Sequence, residues 1–185
     1  VNPLNNSYHG DHGGLSPRLL RIDNGLIQPL ALPKGAEIID VSWTVDGKQF
    51  ALTVGFTNRL ELWTGTIDGK VKKIDNIQLN PLLGNTVSWL PDQKQLIVFA
   101  IPNRGEAPKA PAIPYGPEIM ESSGSTARST YEARNLLETD HDEALFEYYT
   151  KSELVIVDPL TGNQTKLGKP DFYTTALYSP DGKYI

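Results

Sequence analysis

The stretch HGDHGG at residues 9–14 puts two imidazoles and a carboxylate within four positions, a donor set with metal-binding chemistry. A glycine-rich loop gives such donors no rigid frame, so His9 and His12 are read as loop residues and no metal site is assigned. The third histidine, His141, lies in DHDE at residues 140–143, where the carboxylates suit the positive end of a helix better than a catalytic pair. A serine nucleophile needs a Gly-x-Ser-x-Gly elbow, a histidine base and a carboxylate to orient it. Ser125 stands beside Gly124 in a polar loop, but Ala127 occupies the second position after it, and the elbow is absent. The chain has no cysteine, which removes thiolate nucleophiles, disulfides and cysteine-ligated zinc, and it has no phosphate-binding GxxxxGK[ST] loop. These residues thus supply no catalytic group, no cofactor site and no metal site.

The elements that would position any site come next. With 39% hydrophobic and 21% charged residues, the 185-residue chain has the composition of a globular domain. A net charge of −5 argues against nucleic acid or an anionic membrane as partner. No apolar run is long enough to span a membrane, and Val1 does not open a charged and then apolar leader. The compartment stays open between cytosol, organelle, periplasm and the exterior.

Self-similarity organises the chain. DVSWTVDGKQFALTV (residues 40–54), NTVSWLPDQKQLIVFAI (85–101) and TALYSPDGKYI (175–185) each carry an aromatic, a turn and a strand. Trp43, Trp89 and Tyr178 are equivalent, at spacings of 46 and 89 residues, so the second repeat contains a large insertion. Strand-like runs at 50–56, 59–66 and 71–77, then 95–101, 153–158 and 164–167, are punctuated by the turns IDGK and PLTGN. Residues 18–22 and 26–32 flank DNG as one more hairpin. The prediction is an all-β chain, a partial β-propeller of four-stranded antiparallel blades with a Pro-rich and short-helical insertion. Its parts are the end of a preceding blade (1–35), a complete blade (36–83), a blade (84–170) with insertion 102–150, and the start of a next blade (171–185). Trp43 and Trp89 are expected to be buried between blades. Because propellers close with typically four to eight blades, the chain reads as a fragment, prone to self-associate through unpaired strands.

The insertion opens with prolines at 102, 108, 111, 114 and 117, which exclude helix and strand. Ser129 with Glu132, and Thr139 or Asp140 with Asp142 and Glu143, are capping boxes for two short helices. Leu136, Leu137, Leu145, Phe146 and Tyr149 are the apolar residues expected to dock them. An insertion of this length reads as a lid or docking element.

GPEIMESSG (116–124), the segment 131–137, DEALFEYY (142–149) and SWLPDQKQL (88–96) resemble the N-terminal propeller of prolyl-oligopeptidase-family serine peptidases. The likeness is to the glutamyl endopeptidase branch, among dipeptidyl aminopeptidase and acylaminoacyl-peptidase relatives. It implies a parent protein with a C-terminal α/β-hydrolase domain carrying the triad, peptide substrates cleaved after Glu, and a propeller that gates access. It also places arginine near the first insertion helix; Arg104, Arg128 and Arg134 are the insertion's arginines, and Arg128 becomes the candidate for binding a substrate carboxylate. The alternative is a TolB-like propeller acting as a protein-interaction module; a channel-based chemistry would need a cluster of histidine or acidic residues at channel-facing strand ends, and the three histidines show no such spacing.

Overall fold

A computed structural model describes residues 1–7, 17–111, 137 and 139–185. The chain divides into two compact units, Val1–Asn103 with Tyr149–Ile185, and Arg104–Tyr148. The first unit contains a hairpin of β1 (Arg18–Leu20) and β2 (Ile27–Pro29) and two four-stranded antiparallel sheets. The first sheet runs in chain order: β3 (Glu37–Trp43), β4 (Gln49–Phe56), β5 (Arg59–Thr66) and β6 (Val71–Lys73). The second does likewise: β7 (Val87–Trp89), β8 (Leu96–Ala100), β9 (Ser152–Val157) and β10 (Gln164–Asp171). Two successive up-and-down meanders joined in sequence are blades of a partial propeller, as the repeat predicts.

The alternation of side chains along each strand explains the layering. Phe50, Leu52 and Val54 of β4 face the hairpin, with Leu30, Ala36 and the partly buried Leu19 and Trp63. Ala51, Leu60 and Leu62 face the other way and share one core with Val87, Trp89, Leu96, Val98, Val155 and Val157 of the second sheet. Ile97, Phe99 and Leu154 point to the far side of that sheet and meet Tyr173, Ala176 and Tyr178. Both faces of β4 and β8 are therefore covered; β8 reads as an unbroken apolar run, and between Phe50 and Val54 β4 is interrupted only by Thr53. A buried hydroxyl pair, Thr53 Oγ1 and Thr86 Oγ1 at 2.8 Å, also links the two sheets. The outer edges are protected by other means: β6 is three residues long with two lysines, and β10 is exposed, carries Pro170 and has a register shift between Leu167 and Asp171.

The repeated turns have one geometry. In the first, Thr44 Oγ1 donates to Asp46 Oδ1 (2.8 Å) while accepting from the Gln49 N–H, and Asp46 accepts from the Lys48 N–H. In the third, Ser179, Asp181, Lys183 and Tyr184 make the same bonds. Gly47 and Gly182 sit at φ near +68° and +69°, where a side chain is strained. The middle copy has Leu90 in place of the hydroxyl and Gln93 in place of glycine, yet keeps the conformation, with Gln93 at φ 56°.

One expectation is corrected. Trp89 is buried (4% exposed), whereas Trp43 is 44% exposed and meets Phe50 at 5.0 Å between ring centres. The Trp89 indole N–H donates to Ser42 O of the first sheet (3.0 Å), and Tyr178 Oη donates to Trp89 O of the second (2.7 Å). The aromatics of the second and third repeats are thus tied to the repeat before each, and Trp89 is buried in the core that the two sheets share. Residues 172–185 make the expected turn but contain no strand.

Candidate functional site

The insertion leaves the second sheet after β8 and returns at β9, and Asn80 makes hydrogen bonds at both of its feet. The exit is held by the backbone: Ile101 N donates to Gln78 O (2.8 Å), Asn80 N donates to Phe99 O (2.9 Å), and Leu79 bridges Ala100. At the return, the Asn80 carboxamide donates to Tyr149 O and to Lys151 O, both at 3.1 Å. Asn80 is 2% exposed, and such a buried amide is stable there because its donors and acceptor are all used. Asn6 adds a second carboxamide, donating to Asn80 Oδ1 (2.8 Å) and to Tyr149 O (3.2 Å). Tyr149 belongs to the last turn of α1 (Asp140–Thr150), whose terminal carbonyls lack helical partners. No basic residue occupies that turn, and the two asparagines supply the N–H groups instead.

The unit Arg104–Tyr148 has its own closure. The Arg104 guanidinium stacks on the Tyr148 ring at 4.0 Å from its centre and donates to Tyr148 O, while Tyr148 Oη donates to Gly105 O (2.9 Å). The start and end of the insertion are thereby joined by a cation–π contact and two hydrogen bonds. At the other end of the helix, Thr139 Oγ1 accepts from the Asp142 N–H and the Asp142 carboxylate accepts from the Thr139 N–H. The second predicted capping box is therefore formed. Leu137 and Phe146 are exposed, and Leu145 and Tyr149 are half-buried.

Several sequence candidates fall outside the described residues: Arg128, Arg134, Leu136, His9, His12, Ser125 and the first predicted insertion helix. His141 occupies the first turn of α1 beside Asp140 and Asp142. Among the described residues no group of His, Asp and Glu is arranged to hold a metal. The sequence reading missed Asn6 and Asn80, whose partners stand 69 to 143 positions away and leave no local signature.

It also missed a carboxylate repeated at one register in both sheets, buried in the first and partly buried in the second. Glu61 (3% exposed) pairs with Lys73 at 2.7 Å and Arg59 at 2.6 Å, and accepts from the Trp63 indole N–H at 2.9 Å. Burial pushes its carboxyl up, but the bonds from Lys73, Arg59 and Trp63 outweigh that and hold it below the ordinary value. Glu61 lies opposite Val54 in the ladder, and Glu153 lies opposite Ala100 at the matching register of the second sheet, paired with Lys166 at 2.8 Å. A cleft of about 320 Å³ lies on the far side of the second sheet, lined by Ser88, Phe99, Thr175 and Tyr178, with no ionisable carboxylate, imidazole or amine among its walls.

No known family profile matches the chain. A probable chloroplastic glutamyl endopeptidase of Arabidopsis thaliana is 32% identical over 164 residues, 83% of this chain and 17% of the relative. Its counterpart in Oryza sativa subsp. japonica is 31% identical over 179 residues, 89% of this chain and 19% of the relative. The chain is thus related to one stretch of proteins named glutamyl endopeptidase, and its two meanders are blades of a partial propeller. It spans less than a fifth of the length of these glutamyl endopeptidase relatives. Among solved structures, TolB from Acinetobacter baumannii covers 91% of this chain and 30% of its own at a TM-score of 0.45 and 16% identity. An acylaminoacyl peptidase in complex with Z-Gly-Gly-Phe-chloromethyl ketone covers 80% and 20% at 0.42 and 12%.

Proposed function

We propose that this propeller stretch is the non-catalytic, access-restricting part of a serine peptidase, working with an α/β-hydrolase domain outside these residues on peptides cleaved after Glu. The observation that carries the reading is the identity of about a third to proteins named glutamyl endopeptidase over most of this chain. The absence of a Gly-x-Ser-x-Gly elbow within the 185 residues fits a supporting role, because the nucleophile must then lie elsewhere. The insertion, with feet fastened through Asn80, fits an element that selects among substrates.

The test uses the full-length protein. A fluorophosphonate probe should label a serine outside residues 1–185; absence of labelling would replace the peptidase reading with that of a propeller serving as an interaction module. Replacing residues 105–147 by a short Gly-Ser loop should change kcat/KM for long, unfolded polypeptides several-fold while leaving a short Glu-containing peptide nearly unaffected. Equal effects on both would remove the insertion from substrate selection. Arg128 is proposed to meet the substrate carboxylate, because a desolvated carboxylate without a cation is costly. Arg128→Ala should lower kcat/KM for Glu-containing peptides about tenfold, roughly 1.4 kcal/mol, and spare uncharged ones. Loss on both classes would assign Arg128 to folding, and loss on neither to the solvated surface.

A further inference from the structure

We propose that the turn closed by the Asn2–Ser7 bridge is a latch on the return foot of the insertion, acting through the Asn6 carboxamide. The inference holds whether or not the parent protein is a peptidase.

Three segments distant in sequence converge at this point. The turn is shaped by Asn2 N donating to Ser7 O (2.8 Å) and Asn6 N donating to Asn2 O (2.9 Å), and it is placed against the first sheet by Asn5 Nδ2 donating to Phe56 O (3.2 Å). This geometry holds Asn6 in the left-handed region, at φ 58°, and buries it to 3% exposure. Its amide then reaches Asn80 and Tyr149 together.

The coupling arises from the symmetry of a carboxamide. The oxygen and nitrogen ends of an asparagine side chain have nearly the same shape, so its orientation is chosen by its partners. Asn80 must turn its N–H groups toward Tyr149 O and Lys151 O to hold the foot, which sends Oδ1 the other way. There it accepts from Asn6 Nδ2 at 2.8 Å, with the Leu82 N–H at 3.4 Å a weaker donor. Asn6 therefore selects the Asn80 orientation that grips the insertion and adds its own bond to Tyr149 O. Moving the turn away removes both effects, and the foot loosens without any change in the sheet hydrogen bonds.

Hydrogen exchange on the full chain tests the latch. Asn6→Gly keeps the left-handed backbone at ease and deletes the amide; Asn6→Asp keeps the shape but puts an acceptor against Asn80 Oδ1 and Tyr149 O. In both, amides across residues 149–152 should lose about tenfold protection, the scale of one buried hydrogen bond, while β4 and β5 amides keep theirs. Asn80→Asp should loosen the same residues, and adding Asn6→Gly to it should change little more, because the two act as one clasp. Unchanged protection at 149–152, loss spread evenly over β4 and β5, or full additivity of the two substitutions would each overturn the proposal.

Discussion

The two four-stranded sheets are built alike and differ in what joins their middle strands. In the first, β4 and β5 are linked by the two residues Thr57 and Asn58; in the second, β8 and β9 are separated by residues 101–151. The ladders are nevertheless equivalent: Trp43 pairs with Phe50 and Trp89 with Leu96, Val54 with Glu61 and Ala100 with Glu153. Register in the second sheet is thus set by apolar pairing across β8 and β9 rather than by a tight turn. A long excursion is tolerated because loop-closure entropy grows slowly with length, and here the feet are also fastened by Asn80.

The sharpest way to break this comparison is to remove the equivalent aromatics. Trp89→Ala should cost about 3–5 kcal/mol, because a buried ring and its hydrogen bond to Ser42 O are lost, while Trp43→Ala should cost about 1–2 kcal/mol from a half-exposed site. Chemical denaturation of both variants checks this, and equal losses would mean that Trp43 is covered as Trp89 is.

The repeated carboxylates give the next largest effect. Glu61→Gln should destabilise by about 2–3 kcal/mol, since Lys73 and Arg59 lose a buried partner yet keep partial access to water. Glu153→Gln, with one cation, should cost less. The pH dependence follows from the lowered carboxyl of Glu61: its contribution is fully present above the unfolded value near pH 4.5 and is lost as pH falls through the lower folded value. Asp68, held at about 2 by Lys70, Thr66 and the local backbone, acts in the same direction. Thermal melts from pH 6 to pH 2 should show wild-type stability falling more steeply than that of Glu61→Gln; parallel curves would exclude Glu61 as a source.

A smaller difference separates the turns. Gly47→Ala should cost about 1–2 kcal/mol because φ stays at +68°, whereas Gln93→Gly at φ 56° should be nearly neutral. Relief of strain there is offset by loss of the bond from the Val45 N–H to Gln93 Oε1, at 2.7 Å. A clear stabilisation by Gln93→Gly would show that this bond contributes nothing. Smallest of all should be replacement of residues 105–147 by a short loop, which ought to leave the unfolding midpoint of the sheets within a few degrees if pairing alone sets their register.

Much of this was written locally. Alternation in β4, β8 and β9 fixes which side chains face each core, the Asp-Gly turns fix where strands reverse, and Thr139 with Asp142 fixes where α1 begins. These are contacts between near neighbours in sequence, or periodicities of the backbone itself, so residue type and spacing suffice to specify them. The likeness of residues 88–149 to glutamyl endopeptidases was legible for the same reason. The depth of Trp43 was decided elsewhere, because burial of a repeated aromatic depends on the sheet next to it and not on its own turn. So was the clasp of Asn6 and Asn80: an asparagine has no preferred partner at a distance, and only the folded sheets bring residues 6, 80 and 149 within hydrogen-bonding range. The matching of Glu61 and Glu153 belongs to the same class, since one register, counted from Trp43 and Trp89, places both beneath lysines on the neighbouring strand.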